Sequence, residues 1–340
     1  MDQLPGQFPP PPEFGPSAPS PYSPGAGSHF PLDVNRLFSL TFSLYRHRRR
    51  LFVAIALLIL VPAALVQVVT ESVTADSFTT LTLQMQVLAR GGTPQLPDNL
   101  FPLIGLSLLA SAVYGIATYV AQVAITKAAL NTYSGLEATA SESVRFGVRK
   151  ILTVAAAYLV SIAASFAVIF FGLLIASFAF ATGAGIGPFL GLVMFVSAVA
   201  VLLFLSVRWS LIVPVIVFED RGALETLGRS WRLVAGSSWR VLGYVIAFAL
   251  LLFVIGIALA FVVGLIVAVV LAISRSSISI ESLSPLISLG SAILIAALVP
   301  IPAIGMMLLY LDLRFGKGES VPQPGRAPEA APLPPGPPTF

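Results

Sequence analysis

The residues best suited to chemistry in this sequence are charged side chains inside or beside long apolar segments. Arg208 lies within one such segment, Glu219 follows the same segment, and Asp312 lies near the end of the last one. A cation near the middle of a membrane span costs roughly 2.5–3.5 kcal/mol on insertion scales. Two arrangements would reduce this cost. The Arg208 guanidinium snorkels to the membrane surface, which we favour, or it pairs with Glu219 or Asp312 in a structural ion cluster.

A basic amphipathic stretch runs from Asp220, the expected N-cap, to Gly236, the expected stop. One face carries the apolar residues Leu224, Leu227, Trp231 and Val234. The opposite face carries Glu225, Arg229 and Arg232. This spacing predicts a helix in the membrane plane, with its apolar face in the headgroup region and its arginines at anionic lipid phosphates. A site for a phosphate-bearing ligand is the alternative.

The complete set of candidate structural or lipid-headgroup contacts is Arg208, Glu219, Arg229, Trp231, Arg232, Trp239, Arg240, Asp312 and Arg314. No catalytic, cofactor-binding or metal-binding residue is predicted. Cysteine is absent, which excludes thiolate chemistry. No His cluster, carboxylate pair or Ser–Lys dyad is visible in the sequence. We therefore expect a protein that is not an enzyme and uses no cofactor.

Six apolar segments must position these residues. They cover roughly 51–70, 101–126, 151–181, 189–218, 241–273 and 287–312, each close to or above the roughly 20 residues that a helix needs to cross a bilayer. Hydrophobic residues make up 57% of the chain and charged residues only 10%, against about 25% charged in soluble domains. The sequence therefore predicts an all-α integral membrane protein, a bundle of six transmembrane helices.

Positive charges are distributed unequally between the two sides of this topology. Of the 19 Lys and Arg residues, 16 fall before the first span, between spans two and three, between four and five, or after the sixth. The positive-inside rule then places both termini in the cytoplasm, and we expect a bacterial inner membrane. If one of the longer spans crossed the membrane twice, the orientation of every later segment would be reversed. Since topology accounts for the cations, no nucleic-acid partner is predicted.

Both ends of the chain are rich in proline. We expect residues 1–32 and 318–340 to be disordered cytoplasmic tails around a membrane domain at 33–317. Their PxxP-like segments could dock a protein partner, although solvated tails are the favoured interpretation. The external connection 71–100 is expected to carry at most a short amphipathic helix near 81–88.

The spans follow a threefold plan in which an amphipathic basic stretch precedes each outward helix. Four-residue segments at Ser43–Arg46, Ser143–Phe146 and Ser230–Leu233 occupy comparable places before spans one, three and five. This pattern predicts three repeated hairpins with interfacial amphipathic helices. Repeats are informative because transporter sites often lie where repeats meet.

Polar residues inside the spans are few. Those of spans two and three are Tyr114, Thr118, Tyr119, Gln122, Ser161 and Ser165. They could line a small cavity, but hydrogen bonding to their own helix or to neighbouring helices is the default interpretation. Small residues spaced by four, such as Gly256, Ala260 and Gly264, predict close helix packing. Pro300 and Pro302 predict a kink in the sixth span.

Two stretches carry a family resemblance. Arg208-Trp209-Ser210-Leu211, with the segments around Arg229–Val234 and Trp239–Val241, and the ending Leu308–Arg314 resemble a family of bacterial six-helix membrane domains. They are similar to the membrane domain that precedes some glycerophosphoryl diester phosphodiesterases, over about residues 33–317. The catalytic barrel of those enzymes begins with His-Arg-Gly, whereas His47 here precedes Arg48-Arg49, and no Glu-Asn-Thr segment occurs. The resemblance therefore implies a membrane domain without phosphodiesterase activity.

The functional expectation follows from these observations. We expect a non-catalytic membrane scaffold or lipid-interacting module that contacts anionic headgroups on the cytoplasmic side. The alternative is a permease for a small apolar or amphipathic molecule such as a lipid. A polar chamber spanning the bilayer would favour the permease, and a tightly packed bundle would favour the scaffold.

Overall fold

The computed structural model describes residues 33–93, 95, 97–181, 187–273 and 280–319. The described residues are helical, without strands. The helices are α1 (Val34–His47), α2 (Arg49–Ala89), α3 (Leu100–Tyr133), α4 (Ala140–Arg149), α5 (Ile151–Ala181), α6 (Gly187–Arg208), α7 (Ile212–Glu219), α8 (Ala223–Val234), α9 (Ser238–Ile273), α10 (Ile280–Leu298) and α11 (Pro300–Gly316). The expected tails lie outside the described residues, apart from Gly318 and Glu319.

Six helical segments are long and apolar enough to cross a membrane: α2, α3, α5, the pair α6–α7, α9 and the pair α10–α11. The prediction of an all-α bundle with six spans is therefore confirmed for the described residues. The chain is a multi-pass membrane protein. Most of the surface of α5 and α9 is apolar and exposed, as expected for helices that face lipid.

The first span is longer than predicted. Instead of a loop with a short helix near 81–88, α2 continues without interruption to Ala89. No glycine or proline interrupts the chain between 63 and 90. Several hydroxyls in this part also bond to carbonyls one turn earlier, such as Thr74 to Thr70 and Thr79 to Ala75, which is compatible with a helix.

The fourth span breaks earlier than predicted. We expected a kink at Pro214 and an extension along the surface, but α6 ends at Arg208 and α7 begins at Ile212. Pro214 occupies the first turn of α7, where its missing N–H costs no helical hydrogen bond. The first five residues of α7 are buried in the protein, because their apolar side chains pack against α3, α5 and α11. The expected break at Pro300 is present between α10 and α11.

The three short helices α1, α4 and α8 each lead into an odd-numbered span, as the repeat predicts. The tetrapeptide alignment does not hold, however. Ser43 is exposed near the end of α1, whereas Ser143 and Ser230 are buried at different distances from their N-caps. Alignment on the N-caps instead brings the buried residues Thr41, Gly147 and Ser230 into register.

The hydrophobic core lies at one end of the bundle. It is formed where α1, α4, α8 and the C-terminal half of α11 pack against the ends of the spans, and we call this the basic end. Phe52, Ile125, Tyr244 and Tyr310 are fully buried there. Away from the basic end, α9 has little contact with neighbouring helices. The bundle is therefore tight at the basic end and open between helices elsewhere.

Candidate functional site

Glu219 is the centre of a buried ion cluster at the basic end. Its side chain is only 8% exposed and accepts hydrogen bonds from Arg229 Nε at 2.9 Å, Arg221 Nε at 2.7 Å and the Tyr310 hydroxyl at 2.8 Å. Arg314 donates to the same hydroxyl at 3.0 Å. We call these five residues and Glu319 the Glu219 cluster. It joins the end of α7 to α8 and α11.

Glu319 connects the chain beyond α11 to this cluster. Its carboxylate pairs with Arg229 and lies 3.2 Å from Arg314 Nε. The hydrogen bond from Arg229 lowers the pKa of Glu319. The carboxylate is therefore ionised at neutral pH, and Glu319, which lies in the expected C-terminal tail, contacts the folded helices. No spacing in the sequence signals the bonds of Tyr310 to Glu219 and of Glu319 to Arg229, since these partners are 91 and 90 residues apart.

Asp312 belongs to a separate ion pair. Its carboxylate lies 2.5 Å from Arg240 Nη2, and the Asp312 side chain is completely buried. This pair connects the first turn of α9 to α11. A buried carboxylate needs such a partner, because an unpaired charge in this environment is costly.

Arg208 pairs with neither Glu219 nor Asp312, so the ion cluster that was the alternative to snorkelling does not form. Its guanidinium carbon lies 5.0 Å from the ring centres of both Phe204 and Trp231. The guanidinium also donates to the Trp231 carbonyl at 3.4 Å. Arg208 is the last residue of α6 at the basic end, which is the position that snorkelling requires.

Ser230 completes the break between α6 and α7. Its hydroxyl donates to the Arg208 carbonyl at 2.7 Å and accepts from the Leu211 amide at 3.3 Å. Both groups lose helical partners where α6 ends, so a buried hydroxyl from α8 satisfies them. The sequence motif around Ser230 therefore has a structural role that its composition did not reveal.

The amphipathic helix α8 differs from the prediction in its cap and its faces. Asp220 is not its N-cap: it has a left-handed conformation after α7 and pairs with Lys150, and Gly222 is the N-cap. The buried residues are Thr226, Leu227, Ser230, Leu233 and Val234, whereas Leu224 is exposed. Because Arg229 belongs to the Glu219 cluster, it faces protein rather than lipid phosphate. Glu225 is exposed and does not pair with Arg229 as its spacing suggested.

Only two of the nine candidates remain clearly directed away from the protein. Arg232 is exposed on α8, and Trp239 is 86% exposed at the start of α9. Both lie at the basic end, where a membrane surface would meet them. The other seven residues make the contacts described above within the protein.

A polar cavity of about 280 Å³ lies between α3, α5, α6 and α7. Its polar lining residues are Tyr119, Gln122, Tyr158, Ser161, Ser165, Ser206, Trp209 and Ser210. Four of the six residues proposed for a cavity therefore line one. Thr118 instead donates to the Tyr114 carbonyl within α3, and neither of these two residues lines the cavity.

An apolar groove lies between α9 and the pair α10–α11. Its main cavity has a volume of about 720 Å³ and is lined by Gly256, Ala260, Gly264 and larger apolar residues of both walls. A neighbouring cavity of about 440 Å³ shares Val263, Val267 and Ile287 with it, so the two form one α9–α10 groove. A Cβ added at Gly256 or Gly264 would contact nothing within 4 Å. The small residues of α9 therefore border open space, and the prediction that they pack closely against a helix is wrong.

Residues 187–324 match the family model for the membrane domain of glycerophosphoryl diester phosphodiesterase. The chain is similar to that domain from α6 to beyond α11. The match includes α7, α8, the Glu219 cluster and the α9 and α10 walls of the groove. It covers a shorter part of the chain than the resemblance seen in the sequence. No curated protein and no solved structure matches the chain significantly.

Proposed function

We propose that this chain is a non-catalytic membrane module that binds lipid in the α9–α10 groove. The observation that supports this most strongly is the groove itself. It extends from Leu252 to Val270 along α9, which corresponds to about 27 Å at 1.5 Å per residue. That length is close to the hydrocarbon thickness of about 30 Å. The volume of its main cavity, about 720 Å³, is also within the usual range of small-molecule sites, roughly 300–1,000 Å³.

An acyl chain is the occupant that fits the groove. The lining is almost entirely apolar, with Gln122 and Ser291 as its only two polar side chains among the described residues. The flanking side chains Phe253, Ile257 and Phe261 of α9 are exposed and apolar, so the groove continues into the lipid-facing surface. If another helix packed closely against this face of α9, its atoms would lie near Gly256 and Gly264. A Cβ added at either glycine instead meets nothing within 4 Å.

Filling the groove should remove bound lipid. We expect Gly256→Phe and Gly264→Phe to lower lipid retention about tenfold, measured by native mass spectrometry of the full chain released from nanodiscs. A Cβ at either position meets nothing within 4 Å, so the backbone of α9 need not shift to accept the new side chain. Ala258→Phe is the matched control, because Ala258 is exposed on α9 but does not line the groove. Equal retention by all three variants would contradict the proposal.

We further propose that the protein resides in a bacterial inner membrane with the basic end in the cytoplasm. Arg232 and Trp239 would then contact anionic headgroups of the inner leaflet. The proline-rich tails would be available on the same side for a protein partner. The ion pairs of the basic end favour a structural role over catalysis, because their carboxylates are occupied by arginines.

This orientation can be tested in a chain that has no cysteine of its own. Residues 90 and 145 are both exposed, at the end of α2 and on α4 respectively. In intact cells, a membrane-impermeant maleimide should label Arg90→Cys and leave Arg145→Cys unlabelled until the cells are permeabilised. Labelling of position 145 alone in intact cells would reverse the proposed orientation.

A lipid permease is the second candidate, because the polar cavity adjoins the groove. The Tyr158 to Ser165 part of its lining spans only about 10 Å of α5. A polar path across the bilayer would need to be about three times longer. Binding without transport is therefore better supported. Accelerated exchange of fluorescent lipid between leaflets of proteoliposomes would favour the permease.

A further inference from the structure

The polar cavity and the apolar groove meet at one residue. Gln122 of α3 lines both, so the groove and the hydroxyl-rich cavity approach each other at this polar residue. A molecule with an apolar chain in the groove would therefore have its polar end close to this cavity. Such a molecule is amphipathic, and an inference about its polar end rests on the proposed function, lipid binding in the α9–α10 groove.

The cavity carries no charged side chain among its lining residues. A phosphate or carboxylate entering it would lose hydration without gaining a cation, which is costly in a low-dielectric environment. The same applies to an ammonium group, which would find no carboxylate. The polar part of the ligand must therefore be uncharged.

The hydroxyl groups of the cavity mostly offer acceptors. Ser161 donates to the Ala157 carbonyl at 2.8 Å, Ser165 to Ser161 at 2.9 Å, and Ser206 to Leu202 at 2.8 Å. Ser210 likewise donates to the Val207 carbonyl. With each hydrogen already used, the lone pairs of these oxygens are left to accept from a ligand. Tyr119, Tyr158, Gln122 and Trp209 of the same lining add donors. The lining therefore suits a ligand hydroxyl, which can both donate and accept.

From this geometry we infer that the cavity binds the headgroup of a neutral lipid with free hydroxyl groups, such as a monoacylglycerol. Its two hydroxyls donate to Ser161 and Ser165, and its ester end lies near Gln122. Its acyl chain occupies the α9–α10 groove. Tyr119 and Tyr158, whose ring centres are 5.2 Å apart, form the aromatic side of the same cavity.

The test compares three probes with the same chain and different polar ends: monooleoylglycerol, methyl oleate and oleate. Each is added to the full-length protein in lauryldimethylamine oxide, a detergent without hydroxyl groups, and retention is measured by native mass spectrometry. The wild type should prefer monooleoylglycerol to methyl oleate by about tenfold. Ser161→Ala and Ser165→Ala should each lower that preference about fivefold and leave methyl oleate retention unchanged. Ser197→Ala is the control, since Ser197 makes the same bond to its own helix outside the cavity.

The outcomes separate this inference from the proposed function. Equal retention of monooleoylglycerol and methyl oleate, unaffected by the serine variants, would overturn the headgroup inference while groove binding remained. Preference for oleate would overturn it in favour of an anion site. Loss of all three probes from the wild type would contradict both the inference and the proposed function.

Discussion

Glu219→Ala should destabilise the protein by roughly 3–5 kcal/mol, the usual cost of removing one partner from a buried ion pair. Arg229 and Arg314, whose side chains are only 16% and 11% exposed, would lose one of the two carboxylates with which both pair, and Glu319 alone would remain. Tyr310 would also lose its hydrogen-bond acceptor. The free energy of unfolding is measured by equilibrium denaturation in mixed detergent micelles.

Glu225→Ala is the matched control for this change. Glu225 is exposed on α8, so its removal should alter the free energy of unfolding by no more than about 0.5 kcal/mol. Glu219→Gln should fall between the two, because it removes the charge and keeps an acceptor for Tyr310. If Glu219→Ala and Glu225→Ala had equal effects, the Glu219 cluster would not hold the basic end together.

Gly147→Leu should have the second-largest effect, a loss of roughly 1–3 kcal/mol typical of overpacking. A Cβ at this position in α4 would lie 2.9 Å from the Val120 carbonyl oxygen and 3.1 Å from the Ala124 Cβ of α3. Backbone atoms of a buried helix cannot move aside as a flexible side chain can. The substitution therefore wedges α4 away from α3, and the same denaturation measurement should detect it.

Gly228→Leu is the control for Gly147→Leu, because α8 is a short amphipathic helix like α4. Gly228 lies within α8, and an added Cβ would contact nothing within 4 Å. Leucine has the higher helix propensity, by up to about 1 kcal/mol, so this variant should be neutral or more stable. A similar loss of stability in both variants would show that glycine at 147 is not required for close packing.

The spans and their order could be predicted from the sequence, because the hydropathy of a segment indicates directly whether lipid or water surrounds it. The C-terminal end of α2, at Ala89, could not be predicted in the same way. Polar residues such as Thr79 and Thr82 suggest a loop by composition, yet their hydroxyls bond within the helix. Length and polarity alone do not distinguish such a helix from a connection.

The ion pairs show a different limit. Five of the charged candidates make buried or half-buried contacts within the protein: Glu219, Arg229, Arg240, Asp312 and Arg314. Their partners could not be predicted, because these depend on how α7, α8, α9 and α11 pack together at the basic end. The number of residues between two charged side chains carries no information about how these helices pack.

The groove was also misinterpreted from the sequence. Small residues every four positions on α9 are compatible with a close helix partner and with an empty space for another molecule. Gly305 of α11 shows the opposite case, a glycine required for close packing, since a Cβ there would overlap the Phe248 ring. Only the positions of α10 and α11 decide which interpretation applies to Gly256 and Gly264.

The most direct test of lipid in the groove is photo-crosslinking from the α10 wall. A diazirine-bearing amino acid replaces Ile287, which lines both parts of the groove, and the full-length protein is irradiated in nanodiscs. Mass spectrometry of the resulting peptides should find a lipid adduct at this position. Crosslinks to the Leu259–Val267 segment of α9, without a lipid adduct, would show that the helices close on each other and would contradict the proposed function.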